Sequence, residues 1–214
     1  MQNMEKEIRK LNTSEVRARG NRDVDGYALV FNSLSEDLGG FKEQIVPEAI
    51  GDVIDRSDVF ALFNHTPDKV LARSRYGKGS LLLTPDDKGL RYEFTAPKTD
   101  LGDTLLEFLT RGDIDSSSFA FTVAEDKWEK QPDGTYIRTI LKFDRLFDVS
   151  PVFEPAYQAT SVKCARFAEI QEEERLENER LIAEQEAEQR RLEEEKEAAL
   201  AAYYNNLKKE IEEL

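Results

Sequence analysis

Apolar residues occur in two regimes along this chain. Up to about residue 160 they cluster in short runs bounded by turn residues, and beyond that they recur sparsely at long intervals. The first regime predicts strands. Gly26-Tyr-Ala-Leu-Val-Phe-Asn32 reads as a buried strand, followed by a Ser/Gly/Asp loop from Ser33 to Gly40. Pro47 to Ile54 reads as a short helix, with proline at its start and Ile50 and Ile54 one turn apart. Val59–Phe63 is a second strand, ending at Asn64-His65. Leu81–Leu83 and Leu90–Phe94 flank the turn Pro85–Gly89 and form a hairpin. Thr99 or Asp100 caps a helix that runs to Arg111 with Leu101, Leu105, Phe108 and Leu109 on one face, and Gly112 stops it. Ser116–Lys130 and Thr135–Phe147 are two long β-like runs joined by Gln131-Pro-Asp-Gly134, and a short apolar stretch with two prolines follows from Val149 to Tyr157. Residues 1–14 are polar and read as a flexible N-terminus.

The second regime is different material. From Phe167 onward there is no glycine or proline, and Glu, Gln, Arg, Leu and Ala predict continuous helix. Ile170, Leu181, Leu192, Tyr203 and Leu214 recur every 11 residues, the period of a nearly straight or slightly right-handed seam. The expected fold class is therefore α+β: a mainly antiparallel β, barrel-like core with a few short helices, then a long C-terminal α-helix. The boundaries fall at 1–14, 15–165 and 166–214, the last an acidic, coiled-coil-like tail.

Charge narrows the list of partners. The net charge is −14, and residues 161–214 hold 16 acidic against 9 basic residues. An acidic chain without a basic stripe is a poor candidate for nucleic acid or for an anionic membrane surface, so proteins are the expected partners. No apolar run approaches the roughly 18–20 residues that span a bilayer, and no apolar segment at the N-terminus could serve as a secretory signal. One cysteine, Cys164, and one histidine, His65, exclude a disulfide framework and any site that needs two imidazoles from one chain. The expectation is a soluble protein of a reducing compartment, with no cofactor and no metal.

Few residues remain to carry chemistry. His65 ends an apolar strand. In Ser118-Phe-Ala-Phe-Thr-Val123, alternation puts Ser118, Ala120 and Thr122 on one face and the phenylalanines on the other, so Ser118 faces away from the core among small residues. Asp148 lies inside an apolar run, where an unpaired charge is costly. Taken singly, none of the three specifies a function.

Taken together, Gly26–Asn32, Leu62-Phe-Asn-His65, Val70-Leu-Ala-Arg73, Leu105–Leu109 with Arg111-Gly-Asp-Ile114, Ser118-Phe-Ala-Phe121, Phe147–Val152 and Pro155-Ala-Tyr157 give an ordered pattern. This pattern, over roughly residues 15–162, resembles the prohead (capsid-maturation) serine proteases of tailed bacteriophages, which share a fold with the herpesvirus assemblin proteases. The resemblance implies that 15–165 is a serine protease domain, with His65 as general base and Ser118 as nucleophile. It makes Asp148 the third member, where the herpesvirus enzymes have a second histidine, with Asp144 and Glu154 as alternatives. The family usually has glycine where this chain has Ala120. The implied substrates are scaffold, or the scaffold-like segment of the major capsid protein, and the protease itself, inside a procapsid in the host cytoplasm. The tail would dock on helical scaffold segments or form a homo-oligomer. The competing expectation is a catalytically inactive capsid assembly protein that keeps the fold.

Overall fold

The computed structural model describes residues 5–11, 16–153 and 165–212. Glu154, Pro155–Tyr157, Cys164 and Leu214 lie outside the described residues, as does the side chain of Tyr203. The chain divides into two compact units, Met1–Val162 and Lys163–Leu214.

The first unit consists of β1 (Glu7–Leu11), β2 (Arg17–Ala18), β3 (Asp23–Val30), β4 (Phe41–Ile45), α1 (Val53–Arg56), β5 (Asp58–Leu62), β6 (Val70–Arg75), β7 (Lys78–Gly79), β8 (Leu81–Pro85), β9 (Gly89–Thr95), α2 (Asp100–Arg111), β10 (Ile114–Lys130) and β11 (Tyr136–Phe153). The strands form two sheets: one in the order β1-β10-β11-β5-β6-β7 with β4 also on β11, the other β2-β3-β9-β8. Neither sheet closes, so the barrel expected from the strand pattern is corrected to two open sheets sharing one core. The reason lies in β11, whose 18 residues hold β10 along one edge while the other edge takes β4 at Tyr136–Ile140 and β5 at Asp148–Val149, both parallel. Val24, Leu29, Leu90, Tyr92 and Phe94 from the smaller sheet bury against Val59, Phe119, Phe121, Phe143, Leu146 and Val149 from the larger.

The β10–β11 hairpin turns at Gln131–Gly134, where Gly134 supplies a positive φ of 85° and Gln131 N–H bonds to the Thr135 carbonyl at 2.8 Å. The proline-containing stretch after Phe147 is not separate: β11 runs on to Phe153 and includes Pro151. Pro151 lies past the two residues that pair with β5 and stands opposite Ser117 on β10. The helix expected from Pro47 to Ile54 is broken. A 3-10 turn, Pro47–Ala49, and the four-residue α1 are separated by Gly51 at φ 43°, which the helical pattern does not accommodate. Around α2 the local signals hold: the Thr99 hydroxyl, not Asp100, accepts from Gly102 N–H, and Gly112 ends the helix at φ 78°.

The N-terminus is the main departure from the sequence reading. Within the span read as flexible, Glu7–Leu11 forms β1, antiparallel to β10 with Lys10 opposite Ser118. Glu7 and Arg9 point inward while Ile8 is exposed, which inverts the polarity a sequence reader looks for. The inward charges are matched. Arg9 donates to Glu43 at 2.8 and 2.9 Å and to Glu7 at 2.5 Å. Arg138 donates to Glu7 at 2.6 and 2.9 Å, to Glu43 at 2.9 Å and to Asp126 at 2.7 Å. Burial raises the Glu7 pKa, but the hydrogen bond and charge of Arg138, with Arg9, outweigh it and hold the carboxyl below its ordinary value.

In the second unit, α3 (Ala165–Glu212) is one helix laced with exposed i, i+3 and i, i+4 pairs, such as Arg175 with Glu172 and Glu179, and Arg191 with Glu188 and Glu195. Solvent screens these pairs, so each supports the helix only weakly. Leu176, Leu181, Ile182, Leu192 and Leu200 are exposed on it.

Removing one member of the buried charge cluster leaves the others unpaired in the interior. Arg138→Ala is expected to destabilise the first unit by about 3–5 kcal/mol, read as a lower denaturant midpoint. Because the Glu7 pKa is depressed by folding, the contribution of Glu7 to stability is present above its ordinary value and fades as pH falls.

Candidate active site

Register places the candidate residues before any loop is considered. Ser118 on β10 lies opposite Ser150 on β11, and Ala120 lies opposite Asp148. Asp148 and Ser150, two residues apart on one strand, project to the same face, and Ser118 joins them as the cross-strand neighbour of Ser150. His65 arrives from outside the hairpin. β5 runs parallel to β11 with Phe60 and Ala61 beside Asp148 and Val149, and the 3-10 turn Phe63–His65 follows at its end. Asn64 and His65 both hold left-handed backbone, at φ 50° and 56°. That conformation is uncommon for residues other than glycine, and it concentrates where a side chain must be aimed.

The imidazole of His65 bridges the other two groups. Its Nδ1 is 2.5 Å from Asp148 Oδ1, and its Nε2 is 2.5 Å from Ser118 Oγ. Ser118 and Asp148 are buried, and the His65 side chain is 23% exposed. With Nδ1–H donating to the carboxylate, Nε2 is left as the acceptor for the serine proton. The Ser118 hydroxyl has a second acceptor, the Arg9 carbonyl of β1 at 2.8 Å, and its single proton goes to one or the other.

Asp148 is held on both oxygens. Oδ1 also accepts from Ser150 Oγ at 2.7 Å, and Oδ2 lies 3.7 Å from Lys6 Nζ. Burial raises its pKa, yet the hydrogen bond and charge of His65, the Ser150 hydroxyl and Lys6 together bring it below the ordinary carboxylate value. Asp144, the described alternative, is placed elsewhere: its carboxylate accepts from Thr122 at 3.0 Å and sits 4.0 Å from Arg56. Ser150 went unnoticed in the sequence. Its one signal there is the two-residue spacing from Asp148 on a strand.

The three consecutive serines have different partners. Ser116 donates to Asp115 at 2.7 Å, and Ser117 shares a 2.7 Å hydrogen bond with the buried phenol of Tyr92, whose pKa is raised by burial. Ser118 is the one that meets the imidazole. Ala120 is fully buried, so its methyl fills space within the sheet instead of narrowing an open cleft. A polar cavity of about 230 Å³, lined by Arg17, Arg19, Asp25, Tyr27, Lys88 and Arg91, belongs to the smaller sheet and includes none of His65, Ser118 and Asp148.

The depressed Asp148 pKa has a thermodynamic consequence with a definite sign. Its carboxylate contributes stability above the ordinary value of 3.8 and loses that contribution as pH falls through the folded pKa. Asp148→Asn is expected to flatten the dependence of the unfolding free energy on pH between about 5 and 3, measured by denaturant titration at each pH.

Comparison with known proteins places the chain in a family. Residues 9–175 match the family model described as caudovirus prohead serine protease. None of the curated proteins compared with the chain matches it. Among solved structures it is similar to the bacteriophage T4 capsid assembly protease, with 14% identity and a TM-score of 0.44 over 72% of this chain and 99% of that one. That likeness is too distant to carry an argument about function. The family match is another matter, since it runs from β1 through every later strand into α3, and by it the chain belongs to the caudovirus prohead serine protease family.

Proposed function

We propose that this protein is a serine endopeptidase of capsid maturation. It cleaves scaffold, or the scaffold-like segment of the major capsid protein, and itself, inside the assembling procapsid. The observation that carries this reading is the double contact of His65, with Ser118 on one ring nitrogen and Asp148 on the other. A serine hydroxyl is a weak nucleophile at neutral pH until a neighbouring base accepts its proton. In the proposed mechanism, His65 Nε2 takes the Ser118 proton as Oγ attacks the scissile carbonyl, then returns it to the leaving amine. Asp148 fixes the Nδ1–H tautomer and stabilises the imidazolium that forms.

The Arg9 carbonyl bears on this mechanism. While the hydroxyl donates to Arg9, it is not donating to Nε2, so catalysis requires the Ser118 proton to turn toward His65. The rival reading, an inactive assembly protein that retains the fold, is disfavoured by the order of contacts. An idle site has no need to keep carboxylate, imidazole and hydroxyl in hydrogen-bonding sequence.

The body, 15–165, is the proposed protease domain, and 166–214 the proposed docking tail. Its exposed leucines and acidic charge suit a helix that joins helical scaffold segments and raises the protease concentration inside the shell. Removing the chain after Phe167 is expected to reduce encapsidation, scored as protease per purified procapsid.

The catalytic assignment is tested by co-expressing the protease with its cognate capsid protein. Wild type is expected to process the capsid protein, Ser118→Ala and His65→Ala to abolish cleavage, and Asp148→Asn to lower the rate by about 10⁴-fold, the size of that loss in the Ser-His-Asp template. A fluorophosphonate is expected to label wild type at Ser118 and to leave Ser118→Ala unlabelled. Cleavage that persists in Ser118→Ala would remove the nucleophile from its assigned role.

A further inference from the structure

We propose that Ser150 is a positioning residue of this site: its hydroxyl locks the Asp148 carboxylate so that Oδ1 faces the imidazole. The inference rests on the catalytic reading above and extends it to a fourth side chain.

The geometry is specific. Ser150 is fully buried, lies directly across the hairpin from Ser118, and donates to Asp148 Oδ1 at 2.7 Å, the same oxygen that His65 Nδ1 approaches at 2.5 Å. Among the described residues its hydroxyl hydrogen-bonds to Asp148 alone. A buried hydroxyl is costly unless it is bonded, so an alanine would fill this position more cheaply if packing were its whole purpose.

The need for a lock follows from the chemistry of an aspartate. The terminal torsion of Asp is broad, so an unrestrained carboxylate swings its plane, and, its two oxygens being equivalent, what must be fixed is the tilt that aims one of them at the imidazole. A carboxylate oxygen accepts two hydrogen bonds. Here Oδ1 receives both, from the imidazole and from Ser150, while Oδ2 faces Lys6 Nζ at 3.7 Å, a long and half-exposed contact that pins little by itself. The charged groups facing Asp148 are thus His65 from the 3-10 turn and Lys6 from the segment before β1. Both donors to Oδ1 persist as the proton moves at Nε2, and of the two Ser150 is the one carried on the same strand as Asp148. With Ser150 in place the imidazole meets a carboxylate already turned and already charged. Without it, the imidazole is left as the one hydrogen-bond donor that holds the carboxylate's tilt.

The test measures Ser118 reactivity directly, as the second-order rate of fluorophosphonate labelling of the full chain across pH. Ser150→Ala is expected to slow labelling about 10- to 100-fold at neutral pH, the range for a lost hydrogen bond to a charged group. It is also expected to move the acid limb of the profile to higher pH, because the carboxylate loses a donor that favours its charged form. Ser150→Cys, close in size but a much weaker donor, is expected to follow alanine, and it keeps the test decisive if the alanine variant folds poorly. With the cognate capsid protein as substrate, the loss is expected in kcat and not in KM. Labelling at the wild-type rate and pH profile in either folded variant would overturn the role of Ser150 while leaving the triad intact. So would a loss uniform across pH that matches the unfolded fraction. Wild type that fails to label, or Ser118→Ala that does label, would instead remove the catalytic reading and this inference with it.

Discussion

The register between β10 and β11 is the constraint on which this structure depends. With Ser118 opposite Ser150 and Ala120 opposite Asp148, hydroxyl and carboxylate project from one face of adjacent strands, at the separation a single imidazole can bridge. Side chains alternate with period two, so a slip of one residue would send Ser118 into the space of Phe119 and bring the aromatic ring out. Register is held on both sides of the sheet. The phenylalanine stack of Phe119, Phe121 and Phe143 fills the core face, with ring centroids 4.9–6.4 Å apart. The Asp-Gly turn closes the hairpin at the other end, and register shifts between Ala120 and Asp126 separate its pairing from that at Ser118.

Onto that frame the chain adds two elements of opposite character. β5 is mostly apolar, with Val59, Ala61 and Leu62 buried, and its parallel pairing with β11 brings the Phe63–His65 turn to Asp148 at the cost of two residues with left-handed backbone. β1 is highly charged, and its place beside Ser118 is secured by Glu7 and Arg9 within a buried cluster shared with Glu43 and Arg138. Such clusters are weak stabilisers relative to apolar packing, but they tolerate no missing partner. β1 is therefore held by charges that must all be present, and it is this strand that offers the Ser118 hydroxyl a competing acceptor.

Much of this was legible locally. The strand at Tyr27, the β8–β9 hairpin, the capped α2, the Asp-Gly hairpin and the long helix each follow from residues within a turn or two of one another, where propensity and spacing act directly. His65, Ser118 and Asp148 were legible through ordered motifs. What escaped were features whose cause lies far away in sequence. β1 buries its charges against residues 34 and 131 positions distant, and Pro151 continues a strand by pairing with Ser117 across the hairpin.

The sequence by itself determined the place of most strands and of the two longer helices, which residue types were present for proton transfer, and that a helix-forming acidic segment follows a β-rich body. Those properties depend on local backbone preference and on composition, which need no knowledge of distant neighbours. Tertiary structure alone decided that the sheets stay open, that a polar N-terminal stretch becomes a strand, and which of the candidate carboxylates meets the imidazole. Each of these is a choice between partners, and hydrogen-bonding partners inside a fold are selected by strand order and register, which bring together groups that the chain itself keeps up to 131 residues apart.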